Sequence, residues 1–77
     1  MIIISSKGIF DASGCKIYIK DLNDLGLIHL SSGHFEMIAE FNNSRFCTEA
    51  YDQILAEIQA GTRQTDISPF EREDERT

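Results

Sequence analysis

The chain has 77 residues, 42% of them hydrophobic, which is enough for one thin core but not two, since a domain this short buries only ~60% of the surface its unfolded form exposes. That apolar share belongs to a folded domain rather than a disordered chain. Seven basic against thirteen acidic residues leave a formal charge of −6, so the chain as a whole is repelled by phosphate backbones and anionic lipid, and direct nucleic-acid binding is not expected.

The opening Met1-Ile2-Ile3-Ile4 is followed at once by Ser5, Ser6 and Lys7. The apolar run is too short for a signal peptide or a membrane span, and a cytoplasmic location is expected; Ile2 to Ser5 and Gly8 to Phe10 read as one or two short strands. From Cys15 to Lys20 the residues alternate, with Cys15, Ile17 and Ile19 opposite Lys16, Tyr18 and Lys20. A second alternation sets Phe35, Met37, Ala39 and Phe41 against Glu36, Ile38 and Glu40. Both predict strands with one buried face. Between them, Leu27 to Leu30 reads as a strand bounded by the turn-prone stretches Asp21 to Gly26 and Ser31 to Gly33. Asn42-Asn43-Ser44 predicts a tight turn that returns Arg45 to Cys47 beside the preceding strand.

At Thr48 the period becomes helical. Tyr51, Ile54, Leu55 and Ile58 recur every three to four residues and predict a helix over 48–60, started at Cys47 or Thr48 and stopped by Gly61, with that stripe facing the sheet. Beyond Gly61 no apolar period survives, and residues 62–77 read as a flexible acidic tail. The expectation is therefore an α+β domain over residues 1–61, an antiparallel meander of four to five strands packed by one C-terminal α-helix. The order resembles that of small uncharacterised bacterial and phage proteins that begin with a Met-Ile-Ile strand and end in a helix like Glu49 to Ile58. The resemblance covers residues 1–61 as a pattern and implies no substrate and no catalytic residue.

Chemistry-bearing motifs are sparse. Ser32 and His34 flank Gly33 without a nucleophile elbow or an orienting acid, and read as a polar hairpin loop. Cys15, Cys47, His29 and His34 show no paired metal-ligand spacing, so no metal and no cofactor is expected, and both cysteines read as reduced, buried small hydrophobes. Five glycines stand one per predicted turn instead of gathering in a phosphate loop.

Small size, negative charge and the lack of a catalytic constellation point to a non-enzymatic protein-binding module. The form expected is a phage or mobile-element inhibitor that occludes a basic site on a host protein. Candidate contact residues are Tyr18, Glu36, Ile38 and Glu40 on the outer face of the strands, and Ile67 and Phe70 in the tail, anchors within a steering field of carboxylates. The alternative is a homo-oligomeric binder of a nucleotide or metabolite, because a domain this thin gains by self-association.

Overall fold

A computed structural model describes residues 1–22 and 25–76. Its elements are β1 (Ile2–Ser5), β2 (Gly8–Asp11), β3 (Lys16–Leu22), β4 (Leu25–Ser31), β5 (Phe35–Phe41), α1 (Ser44–Gln59), β6 (Gln64–Asp66) and α2 (Ser68–Glu75). The fold is α+β with a β-meander, as the alternation predicts, but the strands divide between two sheets. One is the antiparallel meander β3-β4-β5; the other, ordered β2-β1-β6, is mixed.

The hairpin β1-β2 turns through Ser6-Lys7, with Gly8 at φ 141° closing it. In the meander, β3 and β4 remain paired through Asp21↔Gly26 and Leu22↔Leu25. Asp21, Leu22, Leu25 and Gly26 are thus strand residues and not the turn expected over Asp21 to Gly26, while Asn23 and Asp24 lie outside the described residues.

The β5 pairing slips between Ile28 and His29. His29 sits opposite Met37 while Ile28 sits opposite Ala39, so Ile38 is the extra residue of a bulge. Side chains on a strand alternate, and one inserted residue exchanges the faces beyond it. Ile38 is therefore fully buried, not outward as expected, as are Ala39 and Phe41. At the bulge the Ser5 hydroxyl donates to the Ile38 carbonyl at 2.5 Å, which ties the two sheets together.

α1 begins earlier than its period suggests. The Asn43 side chain accepts the Arg45 N–H at 2.9 Å as an N-cap, so Arg45 to Cys47 form the first turn of the helix and not a returning strand. Its end is as predicted. Gly61, at φ 74°, lets the Thr62 and Gly61 N–H groups bond the carbonyls of Glu57 and Ile58, a Schellman stop. The buried stripe is Cys47, Ala50 and Ile54, with Tyr51 half-buried; Leu55 and Ile58 are exposed. At Cys47 the helix lies close to the sheet. A Cβ at Gly26 would collide with the Cβ of Cys47 and lie 2.8 Å from its Sγ.

Residues 62–76 do not form the flexible tail expected. β6 pairs in parallel with β1, and Ile67 donates its N–H to Ile4 O at 2.9 Å while its side chain is fully buried. Pro69 stands in the first turn of α2, where a missing N–H costs nothing. Two carboxylates of the charged run are buried. Glu71 accepts the Ser6 N–H at 2.8 Å and also the Ser6 hydroxyl, and Asp74 accepts the N–H groups of Asn42 and Asn43 at 2.8 Å each. α2 thereby binds the β1-β2 turn at one point and the β5-α1 turn at another. Its charged composition serves hydrogen bonding to backbone, which is how a carboxylate becomes tolerable inside.

Candidate functional site

The meander has two faces. Gly26, Ile28 and Leu30 of β4 lie beneath α1, as the Gly26 approach to Cys47 shows. The opposite face therefore carries Leu25, Leu27, His29 and Ser31, and the register adds Lys16, Tyr18 and Lys20 from β3 and Phe35, Met37 and Glu40 from β5. Among the described residues no helix or strand packs over its rings, whereas Glu40 at the β5 margin shares a hollow with Ser6, Lys7, Asn42 and the α2 carboxylates Glu71, Asp74 and Glu75. Phe35 is 67% exposed and Tyr18 41%.

The rings on this face touch one another. Tyr18 and Phe35 are tilted with centroids 5.4 Å apart, and His29 meets Phe35 edge-on at 6.0 Å. Such offset and edge-on pairs are each favoured by about 0.5–1.5 kcal/mol beyond the area they bury. Together with Ile19 and Lys20 they line a shallow hollow of about 290 Å³. Across the sheet the rows read Lys16–Ser31–Phe35, Tyr18–His29–Met37 and Lys20–Leu27–Glu40. The face thus joins an apolar centre to two lysines on one margin and a glutamate on the other. Neither lysine pairs with a carboxylate among the described residues.

Of the candidate contact residues, Tyr18 and Glu40 share this face. Glu36 is exposed, but it pairs with Leu30 and lies on the α1 side. Ile38 and Ile67 are fully buried and Phe70 packs half-buried against the core, so these three hold the fold and offer no anchor. Phe35, Met37, His29 and Leu27 were not among the candidates. Unbroken alternation puts Phe35 and Met37 inside, and the bulge puts them outside. The faint signal for it is the run Met37-Ile38-Ala39, three apolar residues in succession where strict alternation would place a polar one.

Both cysteines are free thiols. Cys47 is buried on the sheet-facing side of α1, and desolvation, with the nearby Asp21 and Asp74 charges, pushes its thiol from 9.0 up to about 11. Cys15 is only half-buried, less enclosed than expected. Ser32 and His34 stand exposed in the β4-β5 turn, closed by Ser32 N–H to His34 O at 3.3 Å. No described helix is long and apolar enough to cross a membrane. No family model, curated protein or solved structure matches the chain.

Proposed function

We propose that this chain is a small non-enzymatic protein-binding module whose contact surface is the uncovered face of the meander. The observation that carries the reading is the ring cluster of exposed Tyr18 and Phe35 with half-buried His29, over which no described element packs. Water gains by leaving such a face, and rigid aromatic groups lose little side-chain entropy on docking. The target differs in sign from the one the overall charge suggests. With Lys16 and Lys20 against Glu40, the face suits an apolar surface with a carboxylate on its margin, whereas a basic site would repel its lysines. Docking of this kind takes place in a reducing compartment such as the cytoplasm, where both thiols persist.

A small-ligand reading would use the hollow beside Lys20. At about 290 Å³ it sits at the lower end of the roughly 300–1,000 Å³ typical of ligand sites, and its rings form a rim rather than an enclosure. Capture from the source cell's lysate tests the docking reading. A protein retained by the wild type and by an Ile9→Ser control, which alters an exposed isoleucine in β2, is expected to be lost with Phe35→Ser. Retention of every captured protein by Phe35→Ser overturns the assignment of this face.

A further inference from the structure

Resting on that reading of the face, we infer that its partner is a second copy of this chain, stacked face to face about a two-fold axis running along β4. The register supplies the argument. β3 and β5 flank β4, and the rows across the sheet are fixed by the pairings Lys20↔Leu27↔Glu40 and Lys16↔Ser31↔Phe35. Rotation about an axis along β4 exchanges the two margins and leaves each row at its own height. Lys20 of one copy then stands over Glu40 of the other, twice by symmetry, and Lys16 over the other copy's Phe35 ring, a cation on an aromatic face. Leu27 lies on the axis and meets its counterpart in the apolar centre.

Charge selects this arrangement over the other two-fold. An axis across the strands would set Lys16 over Lys20 of the second copy, and like charges juxtaposed at an interface are repelled. Strands stacked nearly in line are also one of the two ways in which sheets pack, about 10 Å apart. Three strands at ~4.8 Å spacing and about seven residues at ~3.3 Å give a flat footprint on the order of 300 Å² per copy. That is well under the ~800 Å² per partner of a standard interface. The dimer is therefore weak and forms with rising concentration.

Sedimentation equilibrium from about 10 µM to about 1 mM, near-physiological salt, reads the mass directly. The wild type is expected to rise from 8.7 kDa toward twice that mass. K20E and E40K, each confirmed folded by its thermal melt, place like charges at both contacts and are expected to weaken self-association roughly tenfold or more. An equimolar mixture of the two restores it, because one copy then presents acids at both margins and the other amines. A wild type that stays monomeric at the top of the range overturns the second-copy inference, as does a dimer indifferent to both charge variants. If the wild type is monomeric yet Phe35→Ser still loses a captured protein, the face docks a different protein and only the self-association fails. If it is monomeric and Phe35→Ser loses nothing, both readings fall.

Discussion

At the residue scale, adjacent positions in α1 have opposite roles. Ile54 is fully buried while Leu55 is 39% exposed, so Ile54→Ala should cost about 2–5 kcal/mol, through lost transfer energy and an unfilled cavity. Leu55→Ala should cost about 1 kcal/mol or less, since much of that side chain meets water in the folded state. Urea titrations of the two variants check this order, and equal losses would refute the assigned stripe. Cys47 adds a pH dependence of definite sign. Its thiol is held at about 11 in the folded state against 9.0 for a free one, so between these values the folded form keeps a proton that the unfolded form releases. This thiol's contribution is complete below pH 9 and is lost as pH rises toward 11, by on the order of 2–3 kcal/mol. A Cys47→Ala variant should lack this component of the alkaline loss, which melts at pH 8 and pH 11 compare.

At the element scale, the contact between α1 and β4 depends on an absent side chain. The atom nearest a Cβ at Gly26 is the Cβ of Cys47, at the base of a helical residue, and it cannot swing aside as the end of a long side chain would. Gly26→Ala should therefore shift the helix off the sheet and cost about 1–3 kcal/mol. Cys47→Ala in the same chain should not rescue it, because alanine keeps the offending carbon. Full rescue in a denaturant titration would show that the sulfur, and not the backbone approach, sets the spacing. The bulge at Ile38 works similarly across elements. The Ile38 carbonyl accepts the Ser5 hydroxyl from the other sheet.

At the scale of the whole molecule, the C-terminal segment closes the structure. β6 occupies one edge of β1, Ile67 fills the core, and Glu71 and Asp74 hold two separate turns. Deleting residues 62–77 removes a buried isoleucine and leaves the N–H groups of Ser6, Asn42 and Asn43 without their carboxylate acceptors. The combined cost exceeds the roughly 3–5 kcal/mol that a core of this size supplies. The shortened chain is expected to lose its cooperative melt. Retention of a sharp transition, followed by circular dichroism, would show that the segment is an accessory to the fold.

The strands of the meander, the helix ending at Gly61 and the α+β class are legible in the residues because each follows from local physics: a period of two, a period near 3.6, or a glycine free to take positive φ. Tyr18 and Glu40 could likewise be picked out as surface groups of strands. The remainder depends on partners distant in the chain. The faces of Phe35 and Met37 turn on one inserted residue opposite β4, and nothing within β5 says that the Ser5 hydroxyl will bond the Ile38 carbonyl. The stripe Cys47, Ala50, Ile54 prevails over one that includes Leu55 and Ile58 because the helix meets the sheet at Gly26, and the close approach of Cys47 there fixes which side of the helix turns inward. The order of residues 62–76 is hidden for a related reason. A three-residue parallel strand and an eight-residue helix are too short to display a period, and the carboxylates of Glu71 and Asp74 belong inside only because folding brings turn N–H groups to meet them.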